Sequence, residues 1–294
     1  PDFSKVTPET WLAALGQGFF SLSLGMGIML AYGSYSGKQI KVGQSALIVS
    51  LLDTGVALLA GFAIFPAVFA FGLPTAQGPS LLFAVMPEVF REMAGGQLFG
   101  LLFFALVVLA ATTSVISLLE VVSQYTIDKF NWSRKKATIV FASAMAFIGI
   151  FVSLSQGAVP QYSLFGFDLL TLLDDMTNVV FMPIAAIASC IIAGWVVTPK
   201  VMISEIRADG DRFVWGSVWG FLVKYVTPLL ILVVLVFGIV SKLEESSQYL
   251  GVVLTCLAII LLLIAWNFIA DSKYYQSIME KRANSEVQEH QDAE

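Results

Sequence analysis

Asp53 is the side chain of this sequence with the clearest chemical use, because it is an acid within an apolar stretch. It follows the two apolar turns of residues 45–52 and has no lysine or arginine close to it in sequence. A carboxylate at membrane depth is costly unless it is paired or binds a cation, so such acids usually mark ion or proton pathways. We expect Na⁺ or a proton as its partner. The alternative is a residue at the end of a span that reaches water.

A second group of oxygens lies at Ala110, Thr113 and Ser114. The two hydroxyls and a freed carbonyl of Ala110 would form a compact neutral-oxygen site. Such a site suits an alkali cation, because divalent ions favour more carboxylates. Thr113 also shares one helical face with Ser117 and Glu120. In the alternative reading, these hydroxyls only bond back to the carbonyl four residues earlier.

Two adjacent acids, Asp174 and Asp175, follow the start of a later apolar segment. The structural explanation is that the helix dipole favours acidic side chains near a helix N-terminus. The functional explanation is that the two acids gate access to the membrane interior from outside. The residues alone leave both explanations open.

These side chains need a scaffold, and we expect it to be organised around residues 14–35. This stretch is apolar enough for a bilayer, but residues 21–27 read Ser-Leu-Ser-Leu-Gly-Met-Gly. Glycine costs about 1 kcal/mol relative to alanine in a helix, and serine competes for backbone hydrogen bonds, so the pattern predicts a helix broken halfway. Secondary transporters place ion and substrate sites at such breaks. The alternative is a small-residue face that packs between helices.

The composition is that of an integral membrane protein. Of the 294 residues, 57% are hydrophobic and 13% are charged, and the mean hydropathy is +0.84. Soluble domains are about 45–50% apolar and about 25% charged. No basic face for nucleic acid is evident, and the single histidine, His290, lies in the polar tail, which excludes histidine catalysis within the membrane. Cys190 and Cys256 lie in apolar segments and indicate no disulfide framework.

Seven segments are long and apolar enough to span a bilayer, which takes about 20 residues. They are residues 10–35, 45–72, 98–127, 137–157, 166–197, 214–241 and 248–270. Most lysines and arginines fall on one side of the predicted membrane, in residues 36–44, 128–136, 198–213 and 271–294. By the positive-inside rule that side is the cytoplasm, so we predict an outside N-terminus and an inside C-terminus.

The fold class predicted from these segments is an all-α polytopic helical bundle in a membrane. Residues 1–9 read as the remnant of an extracellular loop, residues 73–97 as short outer helices, and residues 271–294 as a polar cytoplasmic tail. Because the chain opens in a loop without an initiator methionine, we expect it to have been cut within that loop.

Several motifs, taken in order, resemble the C-terminal part of the neurotransmitter:sodium symporter family, in its bacterial, leucine-transporter-like branch. Residues 16–27 (Gly-Gln-Gly-Phe-Phe-Ser-Leu-Ser-Leu-Gly-Met-Gly) resemble the sixth transmembrane helix of that family, and residues 78–83 resemble its fourth extracellular loop. Thr113-Ser114 and residues 133–135 resemble its eighth helix and the following loop. The resemblance implies a partial inverted-repeat transporter fold, with helices six to twelve present and helices one to five missing.

The resemblance also implies a substrate pocket and two sodium sites, each incomplete in this chain. The pocket residues, by matched position, are Phe20, Ser21, Ser23, Met26, Gly27 and Leu118. The first sodium site is matched by Ser21 and Asp53, and the second by Ala110, Thr113 and Ser114. Phe20 resembles an aromatic lid over a neutral amino acid. Met26 stands where the bacterial leucine transporter has phenylalanine, which implies a more flexible pocket.

Two gates are implied in the same way. Tyr35 and Asp128 resemble members of the intracellular gate. The acid of the outer gate falls at Asp174 or Asp175, and Thr177 competes for that position.

Chloride is not expected as a cofactor. Asp53 stands where the leucine transporter has asparagine, and Ala57 stands where chloride-dependent relatives have serine. The resemblance therefore implies that Asp53 supplies the fixed negative charge that chloride supplies in those relatives.

The first functional reading is the C-terminal part of a sodium-coupled amino-acid symporter, not an enzyme. It would work by alternating access in a prokaryotic inner membrane and be inactive without helices one to five. One alternative is a stand-alone seven-helix protein, receptor-like or retinal-binding. A retinal protein needs a lysine near the middle of its last span, and residues 248–270 have none. A further alternative is a partner subunit that supplies half a transporter to another chain.

Overall fold

The long apolar segments of the sequence form helices. The computed structural model describes residues 4, 6–35, 37, 40–73, 81–156, 163–208 and 213–266, and six helices in this part are long and apolar enough to cross a membrane. They are Val42–Ala70, Gly96–Phe130, Arg134–Ser155, Leu169–Val196, Gly216–Glu245 and Tyr249–Trp266. Each overlaps one of the predicted spans from residue 45 onwards. The predicted tail, residues 271–294, lies outside the described residues.

The first predicted span, residues 10–35, is two helices. Helix α1 is Pro8–Ser21 and helix α2 is Ile28–Tyr35, and the residues between them are not helical. Helix α1 begins with a capping box, in which the Thr7 hydroxyl accepts from the Thr10 amide and the Thr10 hydroxyl accepts from the Thr7 amide. These bonds pair two amides at the helix start, where the first turn leaves its amides without helical partners.

The break between α1 and α2 contains three left-handed residues at alternate positions. Ser23, Gly25 and Gly27 have φ of 55°, 82° and 77°. This conformation costs roughly 1–2 kcal/mol for a residue with a Cβ. Gly25 and Gly27 avoid this conformational energy because they lack a Cβ, whereas Ser23 does not. Gly25 also permits a close approach, since a Cβ there would lie 2.5 Å from the carbonyl oxygen of Met182. The break therefore requires glycine at position 25 for two separate reasons.

By their contacts, the residues form two compact units. The first falls within Pro1–Ser153 and Met182–Val234, and the second within Leu154–Phe181 and Leu235–Glu294. The first unit contains α1, α2, α3 (Val42–Ala70), α4 (Met86–Glu92), α5 (Gly96–Phe130), most of α6 (Arg134–Ser155), α8 (Met182–Ile191), α9 (Pro199–Ala208) and α10 (Gly216–Phe221).

The segment before α5 packs its apolar side chains against α3. A π-helical turn, Leu81–Val85, leads into α4. The buried cluster there consists of Val68, Val85, Met86 and Val89. The ring of Phe90 packs on Phe103 of α5 with ring centroids 5.3 Å apart. These helices fall in the range 73–97 that was predicted to hold short helices, whereas residues 74–80 lie outside the described part.

Helix α9 lies in a segment that was predicted only as a cytoplasmic connection. It packs on α10 over two glycines one turn apart: a Cβ at Gly216 would lie 3.0 Å from Ile203, and one at Gly220 would lie 2.9 Å from Pro199. The missing side chains let the two backbones approach each other. The glycine spacing of four residues is the sequence signal for this contact.

In the second unit, a two-stranded hairpin precedes the predicted fifth span. Strands β1 (Ser163–Leu164) and β2 (Phe167–Asp168) are antiparallel, and helix α7 (Leu169–Asp175) follows at once. The span was predicted to begin at residue 166, which is wrong because Phe165 and Gly166, with φ of 54° and 80°, form a two-residue hairpin turn. After α7 the helix continues as a π-helical segment, Met176–Phe181. The unit is completed by residues 235–245 of α11 (Thr227–Glu245) and by α12 (Tyr249–Trp266).

Replacement of Gly25 tests how the broken helix is packed. We expect Gly25→Ala to lower the free energy of unfolding by about 2 kcal/mol or more, because the new Cβ meets backbone atoms of Met182 and Ala186 and because φ is positive. Thermal unfolding in detergent, followed by tryptophan fluorescence, measures the loss. Gly33→Ala in α2 is the matched control: its Cβ meets nothing within 4 Å, so it should stabilise by up to about 1 kcal/mol. Equal effects of the two substitutions would contradict this packing.

Candidate functional site

The Ser21 hydroxyl meets the Asp53 carboxylate where helix α1 ends. Ser21 Oγ lies 2.8 Å from Oδ1 and 2.7 Å from Oδ2 of Asp53, and both residues are half-buried. The hydroxyl donates to the carboxylate, so three oxygens of the kind that hard cations bind are gathered there. Asp53 is the twelfth residue of α3, roughly 16 Å along it at 1.5 Å per residue, and so is not a residue at the end of its helix.

The non-helical residues beside this pair leave backbone groups unpaired. The amides of Ser23, Leu24 and Met26 bond to carbonyls of Phe20, Phe19 and Ser23. The amides of Gly25 and Gly27 make no backbone hydrogen bond to any residue that the structure describes. Backbone groups at membrane depth need polar partners. The break is therefore a place where a polar ligand can be held.

The other predicted pocket residues lie around the same break or on α5. Phe20 is 45% exposed, and Ser23 and Met26 are half-buried. Gly27 lies against α5, where a Cβ on it would be 3.2 Å from Cγ1 of Val121. Leu118 precedes Val121 by three residues and so lies on the same side of α5.

The second predicted oxygen group shares one carbonyl. Thr113 Oγ1 and Ser114 Oγ donate to the carbonyl oxygen of Ala110 at 2.8 and 3.2 Å. This is the back-bonding geometry of the structural alternative. It also places three neutral oxygens next to one another, since a hydroxyl that donates keeps its lone pairs for a cation. The geometry is therefore compatible with both readings.

A polar network joins α2 to α5 in the first unit. Tyr32 Oη lies 2.7 Å from Ser117 Oγ, and Tyr35 Oη donates to Glu120 Oε1 at 2.5 Å. Arg134, at the start of α6, pairs with Glu120 at 2.9 Å. Ser117 and Glu120 belong to the face of α5 that was noted from the sequence, and this face receives the second half of the broken helix.

Asp128 joins this network through an intermediate residue. Tyr35 Oη lies 2.6 Å from Gln124 Oε1, and the Gln124 amide donates to Asp128 Oδ1 at 2.8 Å. The two predicted members of the intracellular gate, Tyr35 and Asp128, are thus linked by Gln124. Sequence reasoning missed Gln124, although Glu120, Gln124 and Asp128 recur every four residues and so form one polar row on α5.

In the second unit, the two adjacent acids have different surroundings. Asp174 is exposed, and its Oδ1 accepts from Asn178 Nδ2 at 2.7 Å. Asp175 is only 7% exposed, and its Oδ2 lies 3.1 Å from Nζ of Lys242 on α11. Neither is in the first turn of the membrane-spanning helix that begins at Leu169, so the helix-start explanation does not apply. No local pattern pointed to Lys242, which is distant in sequence.

The residue at the helix start is Asp168. Its Oδ1 accepts from the amides of Leu170 and Thr171 at 3.0 and 3.1 Å and from Gln156 Nε2 at 2.5 Å. Burial alone would raise the pKa of this carboxyl, but the hydrogen bonds from Thr171, Gln156 and Leu170 favour its charged form more strongly, so its pKa lies below the ordinary value. Asp168 is therefore the N-cap of α7.

A family model described as the sodium:neurotransmitter symporter family matches residues 1–276. The chain belongs to the sodium:neurotransmitter symporter family. The resemblance that the motifs indicated is thereby confirmed.

Two relatives and one solved structure illustrate the similarity. An uncharacterized sodium-dependent transporter of Bacillus subtilis is 35% identical over 247 residues, 82% of this chain and 54% of its own length. One of Haemophilus influenzae is 32% identical over 237 residues, 80% of this chain and 51% of its own length. The crystal structure of MhsT in complex with L-phenylalanine matches with a TM-score of 0.72 and 38% identity, covering 81% of this chain and 54% of that chain. The chain thus spans about half the length of these relatives.

These findings confirm the fold class and the family. The symporter family and the fold are those of sodium-coupled transporters, not of enzymes. The predicted all-α membrane bundle of the leucine-transporter type is confirmed, and the chain is a multi-pass membrane protein. The receptor-like alternative is therefore set aside.

Asp168 provides a pH-dependent test of the helix start. We expect Asp168→Ala to lower the free energy of unfolding by about 1 kcal/mol, because the N-cap is lost. Asp168→Asn keeps a capping oxygen and removes only the charge. Since the folded-state pKa is lowered, the stabilisation by the charge is complete above the unfolded pKa of about 3.9 and is lost as the pH falls through the folded pKa.

The melting temperatures of the unsubstituted chain and of Asp168→Asn should therefore converge below about pH 4. Thermal unfolding in detergent between about pH 3 and pH 7 measures the difference. A difference that widens on acidification would show that the cap does not act through its charge.

Proposed function

We propose that the chain forms the sodium-binding and substrate-binding part of a symporter for a neutral amino acid, in a prokaryotic inner membrane. The observation that carries this proposal is the Ser21–Asp53 contact at the break between α1 and α2. It combines a fixed negative charge, a hydroxyl and unpaired backbone groups in one place. A small hard cation and a zwitterion need this set of partners.

The first sodium site is proposed at Ser21 and Asp53. In the described structure the Ser21 hydroxyl donates its hydrogen to the carboxylate. Na⁺ bound there would neutralise the carboxylate and accept a lone pair from Ser21 Oγ, which frees the hydroxyl hydrogen to turn away. A carboxylate at membrane depth is costly without a partner. Pairing with Na⁺ would therefore lower the free energy of the Asp53 carboxylate.

The second sodium site is proposed at Ala110, Thr113 and Ser114. Its three oxygens are neutral and lie within 3.2 Å of the shared carbonyl. A site without a carboxylate favours a monovalent cation over a divalent one. In this proposal both sites take further ligands from outside this chain.

The proposed substrate is a neutral amino acid with a large apolar side chain. The unpaired backbone groups of residues 22–27 would bind its charged ends, and Phe20, Ser23, Met26, Gly27 and Leu118 would surround its side chain. Met26 is flexible and apolar and so adapts to large side chains. The similar protein MhsT was crystallised with L-phenylalanine, which supports an apolar substrate.

Transport would proceed by alternating access. Na⁺ and substrate bound at the break favour one arrangement of the helices by their differential affinity for it. The network of Tyr35 and Asp128 would close the cytoplasmic side, and Asp174 would act as the acid of the outer gate. Asp174 is assigned rather than Asp175 because its side chain is exposed, whereas Asp175 is buried against Lys242.

Sodium-driven uptake tests the proposal directly. The complete product of the gene that encodes this chain is reconstituted in proteoliposomes, and uptake of labelled L-phenylalanine is measured against the sodium concentration. We expect Asp53→Asn and Ser21→Ala each to raise the sodium concentration for half-maximal uptake about tenfold, since each removes a ligand or its charge.

The matched control is Ser50→Ala, one turn before Asp53 on α3. Its hydroxyl bonds back to the Ala46 carbonyl at 2.9 Å, so the sodium dependence should stay within about twofold. Uptake that does not require a sodium gradient would overturn the proposed function. Equal effects of the three substitutions would reject the assignment of the first site.

Chloride independence is a separate expectation. Asp53 supplies a fixed negative charge beside the first sodium site, so no anion is needed to balance Na⁺ there. Replacing chloride by gluconate at constant sodium should leave the uptake rate unchanged, whereas replacing sodium by choline should abolish it. An uptake rate that rises with added chloride would show that Asp53 does not play this part.

A further inference from the structure

The second unit contains a buried ion pair that takes no part in the proposed sodium or substrate sites. Asp175 is 7% exposed, and its Oδ2 lies 3.1 Å from Lys242 Nζ. Lys242 has another acid at 3.6 Å, Glu245, but the Glu245 side chain is 68% exposed. Exposed pairs contribute little because water screens them. Asp175 is therefore the partner that fixes the ammonium group.

A packing contact lies one turn from this ion pair on both helices. A Cβ at Gly238 of α11 would be 3.1 Å from Cγ1 of Val179, so the two backbones are close there. Gly238 precedes Lys242 by four residues, and Val179 follows Asp175 by four. The two contacts therefore run along one face of each helix, in the antiparallel sense.

The surroundings of Asp175, which include Tyr249, offer its carboxylate few hydrogen-bond partners. Tyr249 is fully buried close to Asp175, and its hydroxyl has no hydrogen-bond partner among the residues that the structure describes. Asp175 Oδ2 is within ion-pair distance of Lys242 but has no well-aligned hydrogen bond in the same part of the chain. The carboxylate therefore depends on the charge of Lys242. Removing that charge would leave a buried anion unpaired, which is strongly unfavourable.

We propose that Asp175 and Lys242 form a clamp, a pair of positioning residues that holds the segment carrying Asp174 against α11. Successive residues of a helix point about 100° apart, so Asp175 can be buried at α11 while Asp174 stays exposed and bonded to Asn178. The clamp fixes the direction in which Asp174 is presented. Its importance for transport rests on the proposed function, in which Asp174 is the outer-gate acid, but its effect on geometry does not.

The test measures the reactivity of a thiol at position 174 in the whole chain. Cys190→Ser and Cys256→Ser remove the native thiols, Asp174→Cys supplies the reporter, and the rate of maleimide modification is followed in detergent. Asp175→Asn and Lys242→Met change the local charge in opposite senses, so an effect of charge alone on the thiol would shift the two rates in opposite directions. If instead each substitution lets the segment that carries position 174 move, both modification rates shift in the same direction.

We expect both substitutions to raise the modification rate by roughly fivefold, because each releases the segment to open locally. The double variant should react no faster than either single variant, since the clamp is already lost. Lys242→Arg, which keeps the charge, should restore the original rate to within about twofold. Glu245→Gln, which removes only the exposed acid, should leave the rate unchanged.

A second reporter separates positioning from general stability. Val214 is 80% exposed in the first unit, so Val214→Cys in the same background should react at one rate in all variants. Opposite shifts at position 174, or unchanged rates with only a lower melting temperature, would overturn the clamp. Equal acceleration at both reporters would also overturn it, because the loosening would then be general.

Transport distinguishes this inference from the proposed function. In the complete gene product, Lys242→Met should raise the KM for substrate more than it changes kcat, and Lys242→Arg should reverse the change. If the unsubstituted protein shows no sodium-driven uptake, the proposed function fails, but the modification rates still decide the clamp. If uptake is normal and the modification rate at position 174 is the same with and without the clamp substitutions, the clamp alone is rejected.

Discussion

Unpaired charges and unpaired backbone groups are both costly in a membrane interior, and this chain places an acid and freed backbone groups side by side at the Ser21–Asp53 contact. The helix must end at Ser21 because left-handed residues follow, and its end frees backbone groups. Asp53 is placed opposite that end, where a hydroxyl can donate to it. The Ser21 hydroxyl lowers the cost of the Asp53 carboxylate, and a bound cation would lower it further. The type of oxygens gathered there is the reason why a small hard cation is proposed as the ligand.

The second half of the broken helix depends on α5 for its stability. An isolated helix of eight residues is marginal even in a favourable sequence. Tyr32 and Tyr35 bond to the polar face of α5, and Gly27 lets the backbone approach it. The contacts of Tyr32 and Tyr35 with α5 are hydrogen bonds between side chains. Hydrogen bonds can be exchanged for water at little net cost, which is compatible with the helix movement that the proposed alternating access requires.

The parts of this molecule that could be predicted from sequence are those set by local composition. Long apolar runs predicted the six long apolar helices of the described part, and the two serines and two glycines of residues 21–27 predicted the interruption near Ser23. The pairing of Ser21 with Asp53 came only through family resemblance, because no local rule links residues 32 positions apart. The hairpin before α7 was missed because Phe165 lies in an apolar run, while the left-handed turn depends on its neighbour Gly166. Lys242 was missed because its partner, Asp175, is remote in sequence.

Asp174 and Asp175 show why identical neighbours in a sequence cannot share one explanation. The helix turns by about 100° between them, so one carboxylate reaches α11 and the other does not. An anion that is buried and paired is poorly suited to a gate, because separating it from its partner would leave a charge in an apolar environment. An anion that is exposed and bonded only to an amide can exchange partners at small cost. The proposed division of roles therefore rests on burial: Asp175, which is buried and paired with Lys242, is proposed to hold the segment, and the exposed Asp174 is proposed as the gate acid.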